Sequence, residues 1–364
     1  MQIGLECFRD EQLRSMIASN LRYGNCEIQH KKDCIVYDTA EDHYLEEYLT
    51  VILDAFTTIR DIGIGGAEKR ADYLKSFLSK WKLFSVSEED IEVIMKGICS
   101  ERYDEEPDLF DKKVTIIEFF YFDVMEQQCI LRNYNWEEFC YNIKHVNRFH
   151  TQQVNFEQFK KLLENMIVDI PAGTLRLFRS RICDEYSYTT GYPAKEMGAP
   201  PIHAVSPGRT NSEGIQCLYL ADDKETTFHE VKAKDHDHVS VGEFVQIEDL
   251  RIVDLSLFDN IGPFSSTDFD MTWFAINIEI IRKLGDEVAK PMRRFDHALD
   301  YVPTQYICDY IKYLGYDGIK FKSTLREIGT NYAIFDEKKF NCSRVQVIQI
   351  GDIEYQWNEI ESEV

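Results

Sequence analysis

The chain has 364 residues, 44% of them hydrophobic and 29% charged, with a formal net charge of −23. That length makes two domains the expectation, and the apolar share supplies ample core. So acidic a balance excludes a broad phosphate-tracking surface, so duplex binding is not expected; a local basic pocket for one small phosphorylated ligand is compatible with it.

The ten cysteines form no CxxC, and several, such as Cys129 and Cys217, lie inside apolar runs. They read as buried, reduced thiols of a cytoplasmic protein. The opening residues MQIGLECFRDEQLRSM are charged early and carry no secretory h-region. No run of about 18 apolar residues offers a membrane span.

Residues 1–165 read as a helical domain. In HYLEEYLTVILDAFTTIRDIG, Tyr44, Tyr48, Val51, Ile52 and Ala55 recur at three-to-four spacing, which predicts one buried helix face. DIGIGGAEKRADYLKSFLSKW opens on Gly63, Gly65 and Gly66 and resumes the period through Tyr73, Leu74, Phe77 and Trp81. These glycines lack both the preceding strand of a dinucleotide fingerprint and the Gly-Lys-Ser/Thr of a phosphate loop, so they predict a turn between helices. Ser87 stands before an acidic first turn, and Asn135 and Asn155 precede two further helical stretches as caps.

Two groups invite a metal reading. Cys26, His30 and Cys34, with His43 nearby, could complete a tetrahedral zinc site, but the C-x7-C spacing fits no usual knuckle and an ordinary polar loop is preferred. His236 and His238 alternate without a third ligand and read as a solvated loop. No metal is expected. A ribonuclease of the Arg-x4-6-His type is excluded for the first 165 residues, where no arginine and histidine stand at that separation.

The pattern changes near VDIPAGTLRLFRSRI, where Pro171 and Gly173 punctuate the chain and Leu175, Leu177 and Arg179 alternate onto one strand face. Short strands (IQCLYLA, RIVDLSL, GIKFKS, NYAIFD, VQVIQIG) then mix with helices (KETTFHEVK, TQYICDYIKYLG). The expected fold class is an all-helical N-terminal domain, residues 1–165, followed by a mixed α/β domain, residues 166–364. In the second domain Arg179 lies on a strand, Arg209 and Asn211 in a turn, Tyr219 at a strand end, Glu230 on a helix and Ser323 after a strand. Each has an ordinary structural role open to it; their joint order is what distinguishes them.

Over about residues 174–340 the segments LFRSR, GRTNSEG, LYLA, TTFHEV, PTQYI and FKSTLREIGTN resemble, in order, the RES domain. NWEEFCYNIKHVNRFH is the best part of a similarity between the N-terminal region and the extension of longer RES proteins. That extension often carries a Cys-x-x-Cys, from which CEIQHKKDC departs. Where many relatives have Val-Arg after the glutamate, Val231 is followed by Lys232.

The resemblance implies an ADP-ribosyltransferase-like mixed sheet and a bacterial toxin, often paired with an antitoxin, that depletes NAD or uses it as an ADP-ribosyl donor. It implies a catalytic Glu230 beside the ribose, where a carboxylate stabilises an oxocarbenium-like state. Arg179 and Arg209 are the implied clamps on the pyrophosphate. Tyr219 would border nicotinamide, Ser323 would bond ribose or phosphate, and Asn211 would fix the turn presenting Arg209 or touch the ligand. NAD is the implied substrate, with no other cofactor. Water, phosphate or a protein stays open as acceptor, as does a non-catalytic nucleotide-sensing module. Shutting the site, binding an antitoxin or trigger, and forming a homodimer stay open as roles of the N-terminal region.

Overall fold

The computed structural model describes residues 1–265, 270–290, 297–326, 328–351 and 353. The chain divides into two compact units, Met1–Asn165 with Leu257–Gly285, and Met166–Ser256 with Asp286–Val364.

The first unit is not all-helical. Strands β1 (Gln2–Gly4), β2 (Tyr23–Gly24) and β3 (Cys34–Asp38) form an antiparallel sheet ordered β1-β3-β2. Strands β4 (Phe56–Thr58), β5 (Asp72–Tyr73) and β6 (Lys113–Ile116) form another, ordered β4-β6-β5. All are two to five residues long, too short for a period of two to stand out against helical neighbours. The helix beginning at Tyr44 ends at Leu53, and Thr57 and Thr58, β-branched, continue in β4. Its buried face is Leu45, Leu49, Ile52 and Leu53, one position round from the expected set, and Val51 is 47% exposed. Tyr73 likewise lies on β5 and is exposed, whereas Leu74, Phe77 and Trp81 are buried.

The expected caps form. Ser87 Oγ accepts from Asp90 N at 3.2 Å, and Asn135 Oδ1 accepts from Glu138 N at 2.9 Å. Asn155 Oδ1 accepts from Gln158 N at 3.4 Å. Gly63 and Gly66 take left-handed φ of 61° and 88°, as a turn after a helix requires. Leu257–Gly285 belongs to this unit for identifiable reasons. Arg282 is buried and donates to the carbonyls of Phe258, Ile261 and Trp81 at 2.6, 2.7 and 2.8 Å. Asn277 accepts from Ile130 N and donates to Gln128 O, and Trp81 meets Phe274 edge-on at 5.1 Å.

The second unit is built on an eight-stranded mixed sheet. Its strands are β7 (Ile167–Ile170), β8 (Arg176–Ile182), β9 (Leu218–Ala221), β10 (His238–Gln246), β11 (Leu250–Asp254), β12 (Gly318–Lys322), β13 (Thr330–Ile334) and β14 (Phe340–Gln349). Their order is β14-β10-β8-β9-β13-β12-β11-β7, antiparallel except for β11 with β12. Leu177, Leu218, Leu220, Phe244, Ile252, Ile334 and Phe340 form its buried core. Every strand read from the sequence is present, and β7 and β10 add to them. His238 is the first residue of β10, and its ring stacks on Tyr188 at 3.9 Å instead of standing in a loop. The pairing of β8 with β9 is limited to Phe178↔Ala221. Beyond that pair the two strands part, and the residues discussed next gather at the opening.

Candidate active site

The helix Lys224–Glu230 follows β9 directly. Asp223 starts it, its carboxylate accepting from Thr226 N at 2.9 Å, and Thr227 meets Ser180 of β8 side chain to side chain at 2.5 Å. That contact sets the helix against the sheet and brings Glu230, its last residue, to the end of β13. There Glu230 Oε1 accepts from Asn331 Nδ2 at 2.6 Å and from Ser323 Oγ at 3.2 Å. Ser323 is buried, and its oxygen also accepts from Leu325 N at 3.2 Å, which turns the chain after β12. Glu230 itself is exposed while both of its partners are buried. The carboxylate is therefore held in one orientation while still open to a ligand.

A cavity of about 290 Å³ lies beside it, lined by Phe178, Arg179, Tyr219, Thr227, Glu230 and Asn331 among others. Arg179 projects from β8 and donates to Met197 O at 2.9 Å, its one hydrogen bond among the described residues. A guanidinium has five N–H donors, of which this bond uses one. Burial, with Arg181 nearby, pulls its pKa down to about 10, and it stays a cation at neutral pH. Tyr219 is anchored by its hydroxyl, which accepts from Thr210 Oγ1 at 2.6 Å and donates to Asn211 Oδ1 at 2.6 Å. Burial pushes this phenol above its ordinary pKa, so it remains a neutral donor.

Arg209 has main-chain partners as well as a place at the cavity. It borders the cavity, but its guanidinium donates to the carbonyls of Glu287 and Val288 at 3.2 and 2.9 Å and also to that of Lys290. These are the last carbonyls of the helix Met271–Ala289 and the residue after it, which have no intrahelical partners. A cation at a helix C-terminus is favoured there. Asn211 is 4% exposed, and its amide nitrogen donates to the carbonyls of Ser206 and Ser212, both at 3.1 Å. These bonds lie within the turn that presents Arg209.

The structure thus brings Arg179, Tyr219, Glu230 and Ser323 together and puts Arg209 and Asn211 in their support. It also gives work to residues passed over in the sequence. Asn331, in the GTN of the last quoted segment, is a direct partner of Glu230. Gln305 and Thr304, in PTQYI, hold the Gly208–Asn211 turn from the helix Val302–Tyr313. Gln305 Nε2 donates to Gly208 O and Asn211 O at 2.7 and 3.1 Å, and Thr304 Oγ1 donates to Arg209 O at 2.8 Å. Their signal was present in the quoted motifs, as polar residues recurring where a sheet or helix core needs none. Arg326 pairs with Asp223 and Glu225, both at 2.7 Å, and so clips the loop after β12 to the helix carrying Glu230.

Among the described residues no three His, Cys, Asp or Glu side chains converge as metal ligands. No described helix is long and apolar enough to cross a membrane.

A search of solved structures finds similarity to a chain of the M. tuberculosis MbcT–MbcA toxin–antitoxin complex, at 12% identity and a TM-score of 0.27 over 52% of this chain and 92% of that one. No curated protein matches the chain. The family model of the RES domain matches residues 176–358, which is just over half of the chain and takes in Arg179, Tyr219, Glu230, Ser323 and Asn331. The chain belongs to the RES domain family.

Proposed function

We propose that this protein is a toxin-type RES enzyme that consumes NAD by cleaving its nicotinamide–ribose bond, with water as acceptor. The observation that carries the reading is the carboxylate of Glu230, fixed by Asn331 and Ser323 at a cavity that also holds an underused guanidinium and a tyrosine ring. Departure of neutral nicotinamide leaves positive charge on the ribose C1′ and ring oxygen. A fixed carboxylate stabilises that charge more than the ground state, which is the condition for catalysis. Water then adds at C1′ and loses a proton, giving ADP-ribose, nicotinamide and H⁺.

Arg179 suits the pyrophosphate, as a half-buried cation with spare planar donors. Tyr219 and Phe178 offer ring surface to nicotinamide. At about 290 Å³ the cavity is at the low end for small-ligand sites. It suits the nicotinamide–ribose end of the dinucleotide, with the adenosine end lying outside. In a bacterial cytoplasm such an activity would arrest growth, and an antitoxin is the partner that the family membership favours.

The test is to incubate the full chain with NAD and follow nicotinamide and the fate of the ADP-ribose. Free ADP-ribose and nicotinamide in equal amounts are expected, with both lost in Glu230→Gln. Nicotinamide with ADP-ribose on phosphate or protein would move the acceptor from water. Saturable NAD binding without turnover would reduce the protein to a nucleotide sensor.

A further inference from the structure

The first unit holds a cluster of sulfurs that the NAD-directed reading does not use. Cys7 closes the 3-10 turn after β1, and Cys26 lies in the loop between β2 and β3. Their Sγ atoms are 3.6 Å apart, and both residues are buried, at 0% and 2% exposure. Cys34, the first residue of β3, approaches the same place. A Cβ on Gly4 would stand 3.1 Å from Cys26 Sγ and 3.7 Å from Cys34 Sγ. Only glycine at that position leaves the Cys26 sulfur its room.

Cys26 lines a cavity of about 270 Å³ with Gly4, Gln29, Lys31 and Cys34 among others, whereas Cys7 is not part of its wall. The three thiols are therefore not equivalent. Cys26 Sγ accepts from Gln29 N at 3.3 Å, and Cys34 Sγ lies 3.6 Å from Lys31 O and 3.8 Å from Gly24 O as a donor.

We propose that Cys26 is a peroxide-reactive thiol and that Cys7 behind it is the resolving partner, the two forming an intramolecular disulfide. In the first step the Cys26 thiolate attacks one oxygen of a hydroperoxide. The O–O bond breaks, an S–O bond forms, and hydroxide or alkoxide leaves, so that Cys26 becomes a sulfenic acid and the peroxide is reduced. In the second step Cys7 sulfur attacks Cys26 sulfur, its thiol proton is lost, and the oxygen leaves as water. Closing the bond brings sulfurs 3.6 Å apart to about 2 Å, which a modest rotation of the two side chains supplies.

The electrostatics favour this division of labour. Burial works against ionisation of Cys26, but N–H groups of Gln29, Gly4 and Ile28 and the Cys7 thiol turn toward it and hold its pKa below the ordinary thiol value. Burial and the hydrogen bond to Cys26 push Cys7 up to about 12, so Cys7 is the one that keeps the proton. Cys99, Cys129, Cys217, Cys308 and Cys342 are all shifted the other way.

The experiment uses the full reduced chain, freed of reductant and treated with hydrogen peroxide. Expected are the loss of two free thiols per chain and a disulfide-linked peptide pair containing Cys7 and Cys26. Cys7→Ser should leave a Cys26 sulfenic acid that a cyclic 1,3-dione traps, Cys26→Ser should abolish the linkage, and Cys34→Ser should retain it. The wild-type peptide map decides the pair even if a variant folds poorly. Retention of all thiols at Cys7 and Cys26, a Cys26–Cys34 linkage instead, or a stoichiometric metal ion held by the reduced sulfurs would each overturn the proposal.

Discussion

Asn331 Nδ2 stands 2.6 Å from Glu230 Oε1, the shortest of the two bonds that orient this carboxylate. Asn331 is 6% exposed on β13, so its amide has no solvent to satisfy it if the glutamate turns away. Each group fixes the other. Replacing Asn331 by leucine should leave Glu230 in place chemically but not in direction. Loss of one charge-assisted bond of about 1.5–3 kcal/mol corresponds to roughly ten- to hundred-fold in kcat/KM for NAD cleavage. The fall should lie mainly in kcat. Unchanged steady-state kinetics in a folded Asn331→Leu protein would remove Asn331 from the site.

Tyr219 lines the cavity, and its hydroxyl is tied to Thr210 and Asn211. Tyr219→Phe keeps the ring and leaves the buried Asn211 Oδ1 without that donor. It should cost about 1–3 kcal/mol of stability by denaturant titration while retaining most of the turnover. Tyr219→Ala should lose turnover as well. If the phenylalanine variant is as inactive as alanine, the hydroxyl and not the ring serves the reaction.

The degree to which the site was legible follows from where each residue's partners lie in the chain. Arg179, Tyr219, Glu230 and Ser323 are each delivered by one strand or helix whose period is visible locally, and their motif order is contiguous enough to recognise. The fate of Arg209 depends on carbonyls nearly eighty residues away, at Glu287, Val288 and Lys290, and no local pattern announces a side chain bonded to a distant helix end. Asn331 sits inside NYAIFD, where a polar residue on a strand marks the position but not its partner, Glu230, about a hundred residues earlier. In the first unit the helices were legible through their caps and apolar faces. The strands β1 to β6 were not, because pairs such as Phe56↔Ile116 join segments sixty residues apart through runs too short to alternate.

Asp10 supplies a pH dependence with a definite sign. Its carboxylate caps the helix Glu11–Ser19 by accepting from Gln12 N and Leu13 N, both at 3.0 Å, yet it is only 7% exposed. Burial is the largest influence and raises its pKa above the ordinary 3.8, in spite of the two N–H bonds. The folded state therefore binds this proton more tightly than the unfolded state, and stability falls as pH rises from 3.8 through the folded value. Asparagine caps as well and carries no charge to bury. Asp10→Asn should raise the melting temperature near neutral pH, and the gain should disappear below the ordinary pKa. Melting curves of both proteins from about pH 3 to about pH 8 check this; a variant that melts lower at neutral pH contradicts it.

The two arginines of the motif make opposite predictions, and the pair tests the site more sharply than either alone. Arg209 donates to three main-chain carbonyls, and Arg179, a residue of the cavity wall, makes one hydrogen bond among the described residues. Arg209→Met removes a helix-end cap and several charged bonds, so it should cost about 2–3 kcal/mol and lower the melting temperature by roughly 5 °C or more. Arg179→Met removes a half-buried cation whose burial already pulls down its pKa, so the melting temperature should hold or rise. Its damage should appear in NAD turnover, with kcat/KM falling on the order of a hundred-fold, because a bidentate phosphate contact is lost. Arg179→Lys should recover only part of this, since an ammonium keeps the charge without the fork. The reverse pattern, with Arg209→Met stable but blind to NAD and Arg179→Met active, would mean that the two guanidiniums exchange roles when the dinucleotide binds.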